Sequence, residues 1–394
     1  MKFSCCIFSA QFLPHIGGVE MYVQKISNQL VKCGVEVTIV TSKMKNTPSY
    51  ELTDNGIEIY RMPSLQLMNT RLPVLKPCKE TSQIEKKLQQ KNFDLVMINT
   101  RFYPLSLFAA KFAKKNNIKS IIVEHGTDYL TVNNPIFDRI IKIYEKSITS
   151  KIKNYCSDFY GVSNACCDWL KTFGISAKGT IYNCIDTENI NSLDSCVDYR
   201  HKFNIPKDAL VVSFVGRAVE EKGVLQLVEA VKKINQSKPS LYLLMAGSGP
   251  LDKELSSLQD DYIKYLGSLA FSDVIALFSV CDIFCLPSRS EGFPTVVLEA
   301  SYKNCYIITT DKGGAKELII NDDYGTVIKD NNSDTIMTAL LDLVNNQDKI
   351  KKAAKLANTR LNENFTSEKV CENFINTFIK SEEHYETIAD NTGI

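Results

Sequence analysis

The chain contains neither a long apolar run nor the common fingerprints of nucleotide and metal binding. No apolar run reaches the roughly 18 residues from which a membrane-spanning helix is recognised, so we expect no transmembrane segment. The absence of G-x-G-x-x-G and of G-x-x-x-x-G-K-[ST] argues against NAD-linked and ATP-hydrolysing proteins. No D-x-D pair is present to hold a divalent ion, and we expect no bound metal.

Histidine is scarce, at four residues, whereas 13 cysteines are scattered along the chain. Three cysteine pairs lie close together in the sequence: Cys5 with Cys6, Cys166 with Cys167, and Cys281 with Cys285. They lack the spacing and the nearby histidines of a zinc site, so buried free thiols are expected. The apolar run after Lys2 is short and interrupted by serines and Gln11, unlike a secretory signal. An odd number of cysteines without such a signal predicts a reducing cytoplasm.

Acidic and basic residues nearly balance, at a net charge of +1, but they are unevenly divided along the chain. Residues 1–190 carry 24 Lys and Arg against 16 Asp and Glu, whereas residues 191–394 carry 22 against 29. The basic first half favours contact with anionic material such as a lipid surface, and chance drift among solvated charges is the alternative. The length suits two domains of about 190 residues each.

Short apolar runs alternate with helix-length segments such as Met21–Lys32 and Leu105–Lys115, which predicts parallel α/β sheets. The predicted strands of the first half are Phe3–Ser9, Glu36–Thr41, Ile57–Arg61, Leu95–Asn99, Ser120–Glu124 and Phe159–Ser163. Those of the second half are Leu210–Gly216, Tyr242–Ala246, Tyr262–Leu266, Asp282–Leu286 and Tyr306–Thr310. A polar run after Ile185 places the boundary between residues 185 and 186.

Ligands gather at the carboxyl ends of parallel strands, and three loops of the first half lie there. They are His15–Gly18, Glu124–Asp128 and Ser163–Asn164. Gly17 and Gly18 allow backbone to approach a ligand closely, although they can equally serve only the turn. His125 directly follows an apolar strand and precedes a glycine. It is a candidate site residue, with a structural histidine as the alternative.

Two basic residues flank a strand-to-helix turn in the second half, Arg217 and Lys222 in R-A-V-E-E-K-G. Arg offers a planar fork of donors and Lys a mobile point charge, which suits a diphosphate. The alternative is a solvated loop whose cations pair with Glu220 and Glu221. Further along, residues 247–250 are predicted as a tight turn, and exposed backbone at 267–269 offers hydrogen bonds to a nucleobase.

The stretch Pro287–Tyr302, P-S-R-S-E-G-F-P-T-V-V-L-E-A-S-Y, is predicted as loop and helix start, with Pro294 at the first helical position. First-turn N–H groups around Phe293–Thr295 favour an anion. Glu291 and Glu299 can accept hydrogen bonds from hydroxyls beside that anion. A nucleotide-sugar carries both groups. The alternative is an ordinary turn with Glu291 solvated and Glu299 facing water.

Pro135–Tyr155 has an apolar stripe at four-residue spacing among basic residues, which predicts a basic amphipathic helix. The stripe consists of Ile136, Ile140, Tyr144, Ile148 and Ile152. Packing of this stripe on a sheet is the default interpretation, and contact of residues 136–153 with anionic lipid is the other.

In order along the chain, the sequence contains P-x-x-G-G-V-E, E-H-G, V-S-N, N-x-I-D, G-R-x-x-x-E-K-G, G-x-G-P and E-G-F-P-x-x-x-x-E. Together these resemble the motifs of the retaining glycosyltransferases of family four, the last being similar to their E-x7-E motif. One departure is Cys184, where the family often has glycine between Asn and Ile-Asp.

The resemblance implies an α/β protein with the GT-B fold, two Rossmann-like domains facing a central cleft. Residues 1–185 would form the acceptor-binding domain and residues 186–370 the nucleotide-sugar donor domain. A terminal helix over 371–394 would return to the first domain.

The resemblance also implies roles for individual residues. Arg217 and Lys222 would neutralise the diphosphate, Glu299 would hold the ribose, and Glu291 would hold the sugar together with the Phe293–Thr295 backbone. His125 would lie near the reacting sugar. The remaining donor positions would be Gly17, Gly18, Gly216, Gly247, Gly267, Leu269 and Gly292, and the acceptor-side positions His15, Ser163 and Asn164.

The implied activity is transfer of a hexose or N-acetylhexosamine, from a UDP-sugar by preference or a GDP-sugar, to a lipid-linked or glycan acceptor in surface polysaccharide synthesis. The expected setting is the cytoplasm or the inner membrane face, without a metal cofactor or a nucleic-acid partner. A nucleotide-sugar 2-epimerase and a non-catalytic sugar-phosphate binder are the alternatives.

Overall fold

The computed structural model describes residues 2–68, 71–131, 134–195, 197–237 and 241–380. The chain divides into two compact units. Unit 1 comprises Met1–Asn183 with Ser367–Ile394, and unit 2 comprises Cys184–Thr366. The sequence predicts a boundary after residue 185, and the observed division lies after Asn183. Residues 381–394, part of the predicted terminal helix, lie outside the described residues.

Unit 1 is built on a mostly parallel sheet of eight strands in the order β10-β9-β8-β7-β1-β2-β4-β3. The strands are β1 Ser4–Ser9, β2 Glu36–Ser42, β3 Tyr50–Leu52, β4 Glu58–Met62, β7 Leu95–Asn99, β8 Lys119–Glu124, β9 Asp158–Gly161 and β10 Gly179–Thr180. A separate antiparallel hairpin pairs β5 Ser64–Leu67 with β6 Leu72–Leu75. Strand order reverses at β1, which lies between β2 and β7, so this sheet has a topological switch point there.

The described part of unit 1 contains six helices: α1 Gly18–Lys32, α2 Lys79–Gln89, α3 Pro104–Lys115, α4 Pro135–Ile152, α5 Asn164–Lys171 and α15 Ser367–Phe378. Proline opens α3 and α4, where its missing N–H leaves no intrahelical bond unmade. The Asn134 side chain caps α4 by accepting from the N–H groups of Ile136 and Phe137. The last helix, α15, packs on α1.

Unit 2 contains a six-stranded parallel sheet in the order β13-β12-β11-β14-β15-β16. The strands are β11 Leu210–Val215, β12 Leu241–Ala246, β13 Ile263–Tyr265, β14 Ile283–Leu286, β15 Tyr306–Thr310 and β16 Thr326–Ile328. The helices are α6 Thr187–Ser192, α7 Tyr199–Lys202, α8 Val224–Ser237, α9 Asp252–Ser257, α10 Phe271–Val280, α11 Thr295–Tyr302, α12 Ala315–Leu318, α13 Ser333–Asn345 and α14 Gln347–Asn364. Here the order reverses between β11 and β14, which places the second switch point.

The predicted strands are all present, and two of them, Leu95–Asn99 and Tyr306–Thr310, have the predicted bounds. One detail of the helix after β14 was wrong. Pro294 is the N-cap of α11 with extended backbone, and Thr295 is the first helical residue. No helix in the described part of the chain has the length and apolarity needed to cross a membrane.

The packed face of α4 differs from the predicted stripe. The buried residues are Ile141, Glu145, Ile148, Thr149 and Ile152. Ile136 and Ile140, predicted to pack, are 74% and 57% exposed. A strict four-residue spacing drifts around a helix of 3.6 residues per turn, so the predicted stripe leaves the sheet toward the N-terminal end of α4.

The cysteines follow the prediction of free thiols. The twelve in the described residues are unpaired as disulfides, and both members of two of the pairs are buried: Cys5, Cys6, Cys281 and Cys285. In the third pair Cys166 is buried and Cys167 half-buried. Burial in apolar surroundings raises the pKa of Cys5 to about 12 and keeps its thiol protonated.

Candidate active site

The loops that follow β11 and β14 lie at the switch point of unit 2. Parallel neighbours at such a point send their connections in opposite directions, which opens a crevice beyond the strand ends. The loop after β11 carries Arg217 and Lys222, and the loop after β14 carries Glu291. The strand order thus brings together two of the sequence regions predicted to bind a nucleotide-sugar.

Lys222 and Glu291 meet across this switch point. Lys222 Nζ lies 2.5 Å from Glu291 Oε1, and each side chain is 12% exposed. The alternative of a solvated loop in which Lys222 pairs with Glu220 and Glu221 is therefore wrong, and so is the alternative in which Glu291 is solvated. A charge-assisted contact of this kind fixes both side chains while leaving an edge of each open to solvent.

Arg217 is more open than Lys222. Its side chain is 56% exposed, and Nη2 lies 4.0 Å from Glu221 Oε2, at the limit of an ion pair. Such an exposed pair contributes little to folding, because water screens it and two long side chains must be ordered to make it. The guanidinium is therefore accessible to an anionic ligand at this strand end.

Backbone packing holds the loops of unit 2 together. Gly223 has φ 70°, and a Cβ there would lie 2.3 Å from the Pro287 carbonyl oxygen, so only glycine fits between the two loops. Gly247 has φ 137°, and a Cβ would lie 1.7 Å from the Gly216 carbonyl oxygen. The Arg289 N–H donates to the Glu221 carbonyl at 2.9 Å. These contacts fix the backbone on both sides of the Lys222–Glu291 pair.

The predicted turn at 247–250 and the predicted nucleobase loop at 267–269 are hydrogen-bonded to each other within unit 2. The Gly247 N–H donates to the Gly267 carbonyl at 2.8 Å, and the Tyr265 hydroxyl donates to the Gly247 carbonyl at 2.8 Å. Gly216 and Gly247 therefore have a packing role at the strand ends. Leu269 is half-buried, just before α10. Its predicted contact with a base stays a prediction.

The start of α11 has the geometry expected for an anion site. The N-cap residue Pro294 gives no side-chain hydrogen bond to the first-turn N–H groups of Thr295 and its neighbours, and its carbonyl accepts from the Val297 N–H at 3.1 Å. Phe293 is buried, with its ring edge-on to Phe365 at 5.2 Å between centroids. Glu299, predicted to hold ribose, is buried four residues into the helix, so the alternative in which it faces water is wrong. The carbonyl of Gly292 accepts from the Gly314 N–H at 2.6 Å, which anchors the loop.

In unit 1, the predicted glycine loop lies at the start of α1. His15 Nδ1 and Glu20 Oε1 are 3.1 Å apart, which closes the loop over the helix start. Gly17 is the N-cap, and a Cβ on Gly18 would meet no atom within 4 Å. Ser163 serves as N-cap of α5, where its hydroxyl accepts from the Cys166 N–H at 3.2 Å, and Asn164 is the first residue of that helix.

His125 follows β8 and is held by neighbours within unit 1. Its Nε2 lies 2.9 Å from Asn99 Oδ1, and its ring packs edge-on against Tyr22 at 4.8 Å between centroids. Burial lowers the pKa of His125 to about 3, because the charged imidazolium would lose its hydration. The imidazole is therefore neutral at physiological pH, and it can offer a hydrogen bond but not a positive charge.

A buried ion triad, missed at the sequence level, lies next to this loop. Arg101 is fully buried, with Nη1 2.7 Å from Glu124 Oε2 and Nη2 2.8 Å from Glu145 Oε2. Its guanidinium also lies 3.9 Å from the centre of the Phe173 ring. Glu145 Oε1 accepts from the Leu130 N–H at 2.8 Å. Arg101 thus connects the end of β8, beside His125, to the loop that leads into α4.

Burial raises the pKa of Glu145 to about 7, because one guanidinium serves two desolvated carboxyl groups. Sequence reasoning did not single out Glu145, which lies within the stretch predicted as a basic amphipathic helix. The available signal was the position of Arg101, two residues after the end of β7 at the switch point of unit 1. Among the described residues, no group of three or more His, Cys, Asp or Glu side chains converges as a metal site requires.

Both halves of the chain match known protein families. A family model described as glycosyl transferases group 1 matches residues 198–360, and one described as glycosyltransferase family 4 matches residues 16–189. An uncharacterized glycosyltransferase of Methanocaldococcus jannaschii is 25% identical over 380 residues, 93% of this chain and 96% of the relative. A phosphatidylinositol N-acetylglucosaminyltransferase subunit of Saccharomyces cerevisiae is 22% identical over 331 residues, 82% of this chain and 71% of the subunit.

A Bacillus subtilis glycosyltransferase named for teichuronic acid biosynthesis is 25% identical over 309 residues, 74% of this chain and 76% of the relative. Among solved structures, sucrose-phosphate synthase from Thermosynechococcus elongatus superposes with a TM-score of 0.76 at 18% identity, covering 99% of this chain and 100% of the other. Anabaena HepE in complex with UDP-glucose superposes with a TM-score of 0.70 at 18% identity, covering 95% and 98%.

The two parallel sheets and these likenesses define a glycosyltransferase enzyme with the GT-B fold of two Rossmann-like domains. The two family models together account for most of the sequence, from residue 16 to residue 360. The chain belongs to glycosyltransferase family 4.

Proposed function

We propose that this enzyme transfers a hexose or N-acetylhexosamine from a nucleotide diphosphate sugar, with a UDP-sugar as the preferred donor, and retains the anomeric configuration. The observation that carries the proposal is the Lys222–Glu291 contact at the switch point of unit 2, with Nζ and Oε1 2.5 Å apart. A cation for phosphate and a carboxylate for sugar hydroxyls lie side by side where α/β sheets bind ligands. Anabaena HepE, which shares the fold, was solved with UDP-glucose, and this supports the choice of donor.

The donor is proposed to lie along the strand ends of unit 2. Arg217, 56% exposed, and Lys222 neutralise the diphosphate. Glu291 and the backbone before α11 hold the sugar, and Glu299 holds the ribose hydroxyls. Arg suits this role because its planar fork matches two phosphate oxygens at once. In unit 1, Gly17, Gly18 and His125 keep the donor-side roles that the family resemblance implies.

Catalysis is proposed to depend on fixed positive charge. Cleavage of the anomeric bond leaves negative charge on the diphosphate and an oxocarbenium-like sugar. Preorganised donors at the departing phosphate lower the barrier, and one such donor contributes about 3 kcal/mol, or roughly a hundredfold in rate. The acceptor enters on the face of the leaving group, and its hydroxyl proton passes to the departing phosphate oxygen.

Turnover is proposed to need no metal ion. The side chains of Arg217 and Lys222 place two positive charges where many transferases use a divalent cation. We expect the rate of sugar transfer to be the same with EDTA as with added Mg²⁺. Activity abolished by EDTA and restored by Mg²⁺ would refute this part of the proposal.

The acceptor is proposed to be a lipid-linked glycan or a glycan of a surface polysaccharide, used at the cytoplasmic face of a membrane. Two relatives carry names that refer to phosphatidylinositol and to teichuronic acid. The N-terminal half of α4 exposes Ile136, Phe137, Ile140 and Ile143. Exposed cations, Arg139, Lys142 and Lys146, lie among them. Apolar and basic residues together favour an anionic lipid surface.

Incubation with radiolabelled UDP- and GDP-sugars tests the activity. Label transferred to a lipid extract or an added glycan supports the proposal, and a product with the donor's anomeric configuration supports retention. Recovery of a donor epimerised at C2, with no transfer, would instead identify a 2-epimerase. Binding of every donor without turnover in the presence of lipid extract would contradict the proposed reaction.

A further inference from the structure

An apolar cavity of about 810 Å³ opens beside α4 in unit 1. Its apolar walls come from the β5–β6 hairpin region, the loop after β7 and α4: Met68, Leu72, Phe102, Phe137, Ile140 and Ile141. The volume lies within the range of about 300–1,000 Å³ that is typical of small-molecule sites. None of the residues proposed to hold the donor lines this cavity.

The polar side chains in the wall have partners within the protein. Tyr144 donates its hydroxyl hydrogen to the Phe102 carbonyl at 3.1 Å. Glu145 is held by Arg101 Nη2 at 2.8 Å and by the Leu130 N–H at 2.8 Å. Arg71 donates from Nη1 to the Thr131 carbonyl at 3.0 Å. Because these groups are bonded inside the protein, the cavity offers a ligand mainly hydrocarbon contact, which favours an apolar occupant.

The mouth of the cavity is continuous with the exposed apolar face of α4. Phe137 and Ile140 line the cavity and are 58% and 57% exposed, so each side chain contacts both the cavity and solvent. Ile136 and Ile143, also exposed, continue the apolar surface outside it. On the hairpin, Leu65 and Leu67 are exposed as well.

Positive charge lies in the cavity wall and on the adjoining helix. Arg71 lines the cavity and is exposed, whereas Arg139, Lys142 and Lys146 are exposed on the side of α4 that is turned away from it. Lys142 Nζ lies 4.9 Å from the centre of the Tyr129 ring, near the loop before α4. An apolar interior with an exposed arginine in its wall is complementary to a hydrocarbon chain that ends in a phosphate, and the cations of α4 favour an anionic surface around it.

We propose that this cavity binds one hydrocarbon chain of an anionic membrane lipid, drawn out of the bilayer while its phosphate contacts Arg71 in the cavity wall. The inference rests on the proposed function only through the membrane contact of α4. The proposed function has only the surface of α4 in contact with lipid, and the inference adds a binding site for a lipid chain inside unit 1. Binding of a chain from water is driven by apolar burial on both partners, whereas for a chain that leaves the bilayer only the apolar cavity walls lose contact with water.

The test uses short-chain phosphatidylglycerol below its micelle concentration, compared with glycerophosphoglycerol, the same headgroup without chains. Binding to the full-length protein is measured by titration calorimetry and by native mass spectrometry. We expect one lipid per protein, and affinity for the lipid at least about tenfold above that for the headgroup. Equal affinity for the two compounds would overturn the proposal.

Variants separate the cavity from the outer face of α4. Ile141→Trp fills the cavity and is expected to weaken monomer binding by about tenfold or more. Ile143→Asp, the matched control, lies on the same helix outside the lining residues and should change monomer binding by less than about twofold. The same control should reduce co-sedimentation with phosphatidylglycerol vesicles. Equal losses of monomer binding in Ile143→Asp and Ile141→Trp would place the chain on the outer face and contradict a cavity site.

Leu72→Trp fills the cavity from the hairpin side and decides the test if Ile141→Trp does not fold. Wild-type monomer binding by both Trp variants, each with a native circular dichroism spectrum, would overturn the proposal. Sugar transfer from a soluble donor is measured in parallel. In the wild-type protein, absence of chain binding with intact sugar transfer refutes the lipid site alone, and chain binding without any sugar transfer refutes the proposed activity alone.

Discussion

Each of the two sheets has a switch point, and each switch point has a basic residue beside it, but burial differs between them. Arg101, next to β7 in unit 1, is fully buried between Glu124 and Glu145. Lys222 and Arg217, after β11 in unit 2, are 12% and 56% exposed. A fully desolvated, doubly paired guanidinium holds backbone in place, whereas a solvent-reachable cation can exchange a protein partner for a ligand oxygen. The same topology thus gives one positioning residue and two candidate catalytic cations.

The largest expected effect concerns the buried triad. Arg101→Leu leaves two carboxyl groups buried without their cation, and we expect the free energy of unfolding to fall by about 3–5 kcal/mol. Urea denaturation at pH 7.5 or thereabouts measures the loss. The matched control is Arg139→Leu on the exposed face of α4, which should change stability by less than about 0.5 kcal/mol. Similar losses of stability in the two variants would show that the buried Arg101 contributes no more to folding than the exposed Arg139.

The pH dependence of stability sharpens the same comparison. Burial raises the pKa of Glu145 from its ordinary value of 4.5 to about 7 in the folded protein. Between these values the folded state binds more protons than the unfolded state, so Glu145 makes stability fall as pH rises through this window, by at most about 3 kcal/mol. Unfolding free energies from pH 4.5 to pH 8 should therefore decline less steeply for Glu145→Gln than for wild type. Parallel curves would contradict the raised pKa.

A smaller effect is expected where the loops of unit 2 touch. Gly223→Ala puts a methyl group 2.3 Å from the Pro287 carbonyl oxygen. This clash should lower the free energy of unfolding by about 1–3 kcal/mol, in addition to the strain of a positive φ in alanine. Gly267→Ala is the matched control, because Gly267 has nearly the same φ of 67° and no atom within 4 Å of the added carbon. Thermal unfolding of both variants gives the difference. An equal loss of stability would mean that the two loops can move apart freely.

Much of the fold was predictable because parallel strands are continuous apolar runs. The strands β7 and β15 have their predicted bounds, and other predicted strands differ from the observed ones by one or two residues. Short edge elements were missed, such as β5 and β6, whose alternating and proline-containing sequences give a weak pattern. The exposed N-terminal half of α4 was also missed, because four-residue spacing only approximates the helical period.

The candidate site was predictable where a motif is local and not where it depends on distant pairs. Arg217, Lys222, Glu291 and Glu299 lie in two short segments, each recognisable as a strand end followed by a helix start. The contact of Lys222 with Glu291 spans 69 residues of sequence. Arg101 meets Glu145 across 44 residues, and neither has a spacing pattern that predicts burial. Such pairs follow from strand order, which the linear sequence does not display.

The central claim is that the solvent-reachable cations of unit 2 stabilise the departing diphosphate. The most direct measurement is kcat for sugar transfer by Arg217→Ala and Lys222→Ala under saturating donor, with unfolding free energies measured on the same preparations. We predict that each substitution lowers kcat by about 10²–10³-fold, while the stability of Arg217→Ala stays within about 0.5 kcal/mol of wild type. Near-normal kcat in both variants would contradict the account.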